Sequence, residues 1–222
     1  MQETAGNWCQ SPPGESGATA TPCLLLLARH ATCGTSGFIG ASDVSLSPEG
    51  RKQAAALARV VAAKKVARCF CSPMKRCLET AAAALAGTAL KPEVDDDLRE
   101  INFGRWEGLR FEEISRRDPE YVWRLAHFDR DFAFPEGEAV GTFLERVRRA
   151  VGRMAACPEQ PVLAFTHAGV ITAAICQLLG LYPWQYVLFQ IQHASVTTLQ
   201  VFGFRGVLAG LNERGEGLGA RG

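Results

Sequence analysis

The stretch Cys23-Leu24-Leu25-Leu26-Leu27-Ala28-Arg29-His30-Ala31-Thr32 decides how this chain is read. Its apolar run has the length of a strand and no polar alternation, the pattern of a strand covered on both faces. It ends in an arginine and a histidine, and a Gly/Ser/Thr loop follows. Ser47-Pro48-Glu49 then supplies an N-cap, a proline at the first helical position and an acid in the first turn, so a helix is expected from there to about Lys64. Val66 to Ser72 reads as a second strand and Lys75 to Ala86 as an Ala-rich helix. Glu138 to Ala156 is amphipathic, Val162 to Phe165 is a third buried strand, and a further helix begins near Gly169. Val196–Phe202 and Val207–Leu211 alternate like an antiparallel pair near a sheet edge. Strands alternating with helices predict an α/β protein, with a mostly parallel sheet and helices on both faces.

Outward from this frame, residues 1–21 are rich in Ser, Thr, Gly, Pro and Ala without periodicity, and read as a disordered leader. Residues 212–222 read as a flexible tail, leaving 22–211 as a single domain. A polar middle section, from Lys91 to about Gly137, predicts short helices over 110–117 and 119–126. Its aromatic residues Trp123, His127, Phe128, Phe132 and Phe134 fit either a contact to a ligand or a small core of that section's own.

The 24 Lys+Arg against 23 Asp+Glu leave a formal charge of +1. That balance excludes proteins whose main task is coating nucleic acid or anionic membrane, which need a basic surplus. The run Cys23–Ala28 is far short of the roughly 20 residues that span a bilayer. No Lys or Arg precedes it to form the positive region of a secretory signal. A soluble, cytoplasmic protein is expected. Eight cysteines include no C-x-x-C pair; Cys69 and Cys71 fall on one face of a strand and read as reduced, core-filling thiols. The four histidines show no metal-ligand spacing, so no metal and no cofactor are expected.

In folds of this class the chemistry sits at the carboxyl ends of the strands. The first strand ends in Arg29-His30-Ala31-Thr32 and the third in Thr166-His167-Ala168-Gly169. The second ends in Ser72-Pro73-Met74-Lys75-Arg76. Each residue alone has an ordinary structural reading: a satisfied histidine, a surface arginine, one acid (Glu100) in a charged loop. Two histidines and two arginines leaving three buried strands at the same end point instead to one crevice. Guanidinium forks pair with phosphate oxygens, and the helix start after Gly169 offers amide donors to the same anion. An imidazole beside two guanidiniums stays neutral and nucleophilic. Such a histidine can accept a phosphoryl group in line, while Glu100 protonates the leaving oxygen.

On these residues the chain resembles the histidine phosphatase (phosphoglycerate mutase-like) superfamily, over roughly residues 23–210. Its R-H-G-x-T element looks like Arg29-His30-Ala31-Thr32. D-x-x-L-[ST]-x-x-G-x-x-Q-A is similar to Asp43 through Ala54, and S-P-x-x-R-x-x-x-T-A to Ser72 through Ala81. L-x-E-x-x-F-G-x-W-E-G is similar to Leu98 through Gly108, and the second histidine element to Thr166-His167-Ala168-Gly169-Val170. The resemblance implies a three-layer α/β/α sandwich with one antiparallel edge region, and a small helical cap insertion at about 104–137. It implies that His30 is the phosphoryl acceptor, that Arg29, Arg76 and His167 form the phosphate pocket, that Glu100 is the proton donor, and that no metal is required. Ala31 and Ala168 replace glycines common in the family, which places Ala168 at the phosphate. The family's Asn after the first histidine is missing, and only Thr35 or Ser36 stands where it would be. The absence of a longer insert after Glu100 favours hydrolysis over mutase chemistry.

The implied activity is that of a metal-independent phosphomonoesterase acting on a small phosphorylated metabolite. The short cap is closest to the α-ribazole phosphatase and broad-specificity branch, with α-ribazole 5′-phosphate a candidate substrate. Mutase-type phosphoryl transfer and a non-catalytic phospho-ligand binder are the alternatives. Pro135-Glu136-Gly137-Glu138 resembles a stretch that borders substrate in the family. His193 fits a pocket-lining and a structural role equally. Oligomeric state is open, a homodimer included. A dinucleotide-binding domain is excluded because Gly34, Gly37 and Gly40 have the wrong spacing and precede the helix at Ser47 by too far. A cysteine-dependent phosphatase is excluded because the C-x5-R of Cys23 and Arg29 encloses a buried strand rather than an anion-cradling loop.

Overall fold

The computed structural model describes residues 22–127 and 131–215. The expectations for the leader, for 216–222 and for the side chains of His127 and Phe128 lie outside these residues. Six strands form one mixed sheet: β1 (Cys23–Arg29), β2 (Arg68–Cys71), β3 (Glu93–Val94), β4 (Val162–Thr166), β5 (Val196–Phe202) and β6 (Arg205–Glu213), in the order β3-β2-β4-β1-β5-β6. β1 pairs in parallel with β4, and β2 in parallel with β4 and β3. β5 runs antiparallel to β1, and β6 antiparallel to β5. The three strands with functional ends are therefore neighbours, with β4 in the middle.

Alternation along β1 explains the layers. Leu25 and Leu27 point into one hydrophobic cluster with Val162 and Ala164 of β4. That cluster includes Val147 and Met154 of α5 (Val140–Ala155), and Ile171 and Ile175 of α6 (Ala168–Leu179). Leu26 and Ala28 point the other way, into a cluster with Leu163 and Phe165. Leu57 and Val61 of α1 (Pro48–Ala63) and Cys77 and Ala81 of α2 (Lys75–Ala84) close that second cluster. This is the expected three-layer sandwich, with helices on both faces. Cys69 and Cys71 share the α1/α2 face, with Phe70 on the other. Seven cysteines among the described residues are free thiols, and burial pushes the Cys69 thiol up to about 12.

Ser47 caps α1, its Oγ accepting from the Gly50 amide at 3.0 Å and donating to the Thr32 carbonyl at 3.1 Å. The helix start is thereby tied to the loop that carries His30. The middle section forms α3 (Phe111–Arg117) and α4 (Pro119–His127), with a 3-10 turn at Gly104–Trp106. Trp106, Phe132 and Phe134 pack edge-on with Phe38, Phe103 and Tyr121. The cap therefore has its own aromatic core, and Phe132 and Phe134 belong to it; Trp123 is 70% exposed.

One boundary is corrected. β6 does not stop before a tail at 212 but continues through Asn212 and Glu213. Glu213 Oε1 accepts from Thr198 Oγ1 and its Oε2 pairs with Lys64 Nζ, contacts that a composition-based reading of Asn212-Glu213-Arg214-Gly215 does not reveal. No helix among the described residues is long and apolar enough to cross a membrane.

Candidate active site

β1 delivers His30 and β4 delivers His167 to the same end of the sheet, with ring centroids 5.1 Å apart. His30 is buried. Its Nδ1 lies 2.8 Å from the Ala31 carbonyl oxygen and must donate to it, which leaves the lone pair on Nε2. Burial pushes the His30 pKa well below the usual imidazole range, and the Arg76, Arg29 and His193 side chains add to the shift. The ring is neutral and carries one free nitrogen.

Arg76 is fully buried rather than on a solvated helix face. Its Nε donates to His167 Nδ1 at 3.2 Å; its two terminal nitrogens donate to the carbonyls of Ser42 and Gly40, each at 2.7 Å. Because Nδ1 of His167 accepts, its ring proton sits on Nε2, which donates to Ser72 Oγ at 2.9 Å. Burial first, then His30 and the arginines, holds His167 neutral as well. Arg29 donates through Nη1 to the Ile191 carbonyl at 2.5 Å, while its buried Nε has no partner. Among the described residues, neither Arg29 nor Arg76 has a carboxylate partner.

Glu100 lies across from them, held by two amides: Gly169 N–H donates to Oε2 and Ile101 N–H to Oε1, each at 3.0 Å. Burial raises its pKa, outweighing these bonds and the pull of Arg76 and Arg29. The expectation placed free amide donors for an anion after Gly169, and the Gly169 amide itself is not available as one. That amide is already taken by Glu100, and a Cβ at Gly169 would stand 2.3 Å from Glu100 Oε1, so only glycine admits the carboxylate there. Ala168 opens α6 directly after His167. Thr35 and Ser36 are exposed on the loop after β1, and Ser36 Oγ accepts from Arg110 Nε at 3.3 Å. Neither lines the cleft described below.

His193 belongs to the cluster. Its ring lies 5.3 Å from that of His30, and its Nδ1 donates to the His30 carbonyl at 3.2 Å. Burial and Arg29 push its pKa down to about 4. Only its place just before an expected strand pointed to this; the pairing of β5 beside β1 supplies the rest.

Two acids, Glu107 and Glu138, brace the site, a part that sequence reasoning gave to neither. Glu107 accepts from the amides of Gly40, Ala41, Ser42 and Phe103 and from Ser42 Oγ. Burial raises its pKa, but these bonds outweigh that and hold it below the usual range. Glu107 thus fixes the carbonyls on which Arg76 rests. Glu138, expected to border substrate, instead pairs with Arg146, whose guanidinium donates to the carbonyls of Asp97, Arg99 and Glu100. Gly137 packs on the Asn102 carbonyl, where a Cβ would stand at 2.4 Å, so this stretch is a buttress of the Glu100 loop.

A cleft of about 470 Å³ opens over Arg29 and Glu100, lined further by Gly37, Phe38, Ile39, Phe103, Arg110, Phe111 and Glu112. Among the described residues no group of three or more His, Cys, Asp or Glu side chains could hold a metal ion.

Against known proteins, residues 25–214 match the family description Histidine phosphatase superfamily (branch 1). The chain belongs to this superfamily. It is 35% identical over 197 residues to a bifunctional protein of Mycobacterium tuberculosis, a match spanning 86% of this chain and 53% of the relative. The chain thus spans about half the length of that curated relative. Among solved structures, mycobacterial glucosyl-3-phosphoglycerate phosphatase superposes with a TM-score of 0.77 at 28% identity, over 86% of this chain and 99% of the other. The α-ribazole phosphatase of Shigella flexneri gives 0.76 at 25% identity, over 88% and 99%.

Proposed function

We propose that this histidine phosphatase superfamily member is a metal-independent phosphomonoesterase that works through a phosphohistidine on His30. The observation that carries this reading is a pair of guanidiniums, Arg76 buried and Arg29 half-buried, with no carboxylate in ion-pair contact and one orphaned Nε, beside a neutral imidazole. An uncompensated buried charge costs several kcal/mol, so the pocket is built to receive an anion. A phosphate monoester supplies that anion and offers phosphorus to the free Nε2.

His30 Nε2 forms the P–N bond as the ester P–O bond breaks, and Glu100, whose carboxyl holds a proton more readily because burial raises its pKa, gives that proton to the leaving oxygen. Arg29 and Arg76 hold the equatorial oxygens, His167 joins them by turning its Nε2–H away from Ser72 Oγ, and the Ala168 amide is a further donor. Water then attacks phosphorus and gives its proton to the Glu100 carboxylate, and the P–N bond breaks to release phosphate and neutral His30. Substrate is a small phosphorylated metabolite; likeness to the Shigella flexneri enzyme makes α-ribazole 5′-phosphate a candidate. A cytoplasmic setting, in which the thiols stay reduced, is part of the same proposal.

In the test, purified protein is assayed with an aryl phosphate. His30→Ala abolishes hydrolysis, and a chelator leaves the wild type active. Full activity in His30→Ala, or recovery only on adding a metal, overturns the mechanism.

A further inference from the structure

Gly50 and Gln53 lie three residues apart on α1, on the face turned to the loop that follows His30. A Cβ at Gly50 would stand 2.0 Å from the Thr32 carbonyl oxygen, so glycine is what lets the helix come this close. At that approach the half-buried Gln53 side chain reaches the loop backbone. The Thr32 amide donates to Gln53 Oε1 at 3.2 Å.

The Thr32 amide and the Ala31 carbonyl belong to one planar peptide unit and point in opposite directions across it. That carbonyl takes the Nδ1 proton of His30 at 2.8 Å. A continuous chain therefore runs from the His30 ring, through the Ala31–Thr32 peptide, to Gln53. The groups on either side of this peptide are held separately. The Ala31 amide donates to Thr80 Oγ1 at 3.0 Å, and Thr80 Oγ1 donates to the Arg76 carbonyl at 2.6 Å. The Thr32 carbonyl accepts from the amide and the hydroxyl of Ser47, each at 3.1 Å. Gln53 holds the unit between them from its amide side. Because the peptide turns as one rigid plane, an amide released from Gln53 swings the Ala31 carbonyl away from the ring. A bond at the amide also polarises the carbonyl and makes it a better acceptor. Both effects keep the ring proton on Nδ1 and the lone pair on Nε2, as an outer carbonyl does for a metal-bound imidazole.

We infer that Gln53 is a positioning residue for the phosphoryl acceptor: through the Ala31–Thr32 peptide it holds His30 in the Nδ1–H tautomer, with Nε2 free for phosphorus. The inference rests on the phosphomonoesterase reading for its effect on rate, but not for the tautomer itself.

The test combines nitrogen NMR of protein labelled with 15N-histidine and steady-state hydrolysis of an aryl phosphate. The His30 signals are assigned by their loss in His30→Asn. Wild-type His30 carries its proton on Nδ1; a proton on Nε2 instead overturns the inference before any variant is made. In Gln53→Leu the His30 signals move towards a mixture of tautomers. Its kcat falls about tenfold, the scale found where an outer partner orients a metal-bound imidazole. KM changes little, because Arg29 and Arg76 still bind the phosphate. Gln53→Glu, which keeps an acceptor oxygen, recovers the Nδ1–H tautomer and most of the rate. A role in stability alone lowers the melting temperature without moving the tautomer. An unchanged tautomer or an unchanged kcat in folded Gln53→Leu therefore overturns the inference. A tautomer that follows Gln53 in a protein that hydrolyses no phosphate ester leaves the hydrogen-bond chain standing and removes the phosphatase reading. Hydrolysis through His30 with a tautomer indifferent to Gln53 does the reverse.

Discussion

One cause moves the pKa values of His30 and Glu100 in opposite directions. Burial favours the neutral form of each, lowering the imidazole pKa and raising the carboxyl pKa. A free base beside a protonated acid is what phosphoryl transfer to nitrogen requires, and this fixes the expected pH dependence. Hydrolysis of an alkyl phosphate, whose leaving alkoxide needs the proton, declines on the alkaline side as Glu100 ionises. Hydrolysis of an aryl phosphate with a good leaving group declines less there. Glu100→Gln slows the alkyl ester by about 10²-fold or more and the aryl ester less; equal slowing of the two esters in a side-by-side kcat comparison counts against Glu100 as the acid. The histidines also set a stability profile. Above pH 6.5 they are neutral in both folded and unfolded chains and contribute nothing. Below it the unfolded chain takes up protons that His30, His167 and His193 refuse, so stability falls as pH drops from 6.5 towards the value of about 4 at which His193 titrates in the fold. Urea midpoints measured across that window should decline, and His193→Gln should flatten the decline.

Among the elements, the loops are held by acids that never touch the reacting atoms. Glu107 ties Gly40, Ala41 and Ser42 to Phe103, and the Gly40 and Ser42 carbonyls hold Arg76, which in turn holds His167. Glu107→Ala leaves buried amides unpaired, at roughly 1–3 kcal/mol for each that water cannot reach. Well below its lowered melting temperature, the variant should still lose kcat/KM, because Arg76 loses its platform. Unchanged kcat/KM in the folded variant would show that the platform is dispensable. Arg146 performs the parallel task for Glu100. Arg146→Met strands Glu138 and three carbonyls at a cost of about 3–5 kcal/mol. Its residual activity should fall more on alkyl than on aryl phosphates, since the acid is what it misplaces. A purely structural Arg146 would lower both esters alike.

At the scale of the whole molecule, the sheet was legible because its decisive strands are continuous apolar runs that each end in a functional residue: Leu24–Arg29, Cys69–Ser72 and Val162–His167. The convergence of His30, His167, Arg29 and Arg76 follows from those runs being neighbours. What stayed hidden depends on loop conformation and on pairing across long stretches of chain. No local pattern tells that Gly169 serves Glu100, that Glu138 belongs to Arg146, or that His193 abuts His30. Asn212 shows the point at the far end of the chain, in residues whose composition reads as tail. It adopts a left-handed φ of 58°. Its side chain donates to the Gln190 carbonyl at 2.7 Å and accepts from the Gln192 amide at 2.7 Å and from Ser195 Oγ at 3.1 Å. These bonds pin the 190–195 segment that supplies the Ile191 carbonyl to Arg29 and His193 to His30. Asn212→Gly keeps the backbone free to adopt its turn but removes all three bonds; Asn212→Ala removes them and adds strain of about 1 kcal/mol. Both variants should lower kcat/KM, with Asn212→Ala the less stable of the two in urea unfolding. If Asn212→Gly keeps wild-type kcat/KM, the site does not depend on this end of the sheet, and the Arg29 and His193 contacts are held by β5 alone.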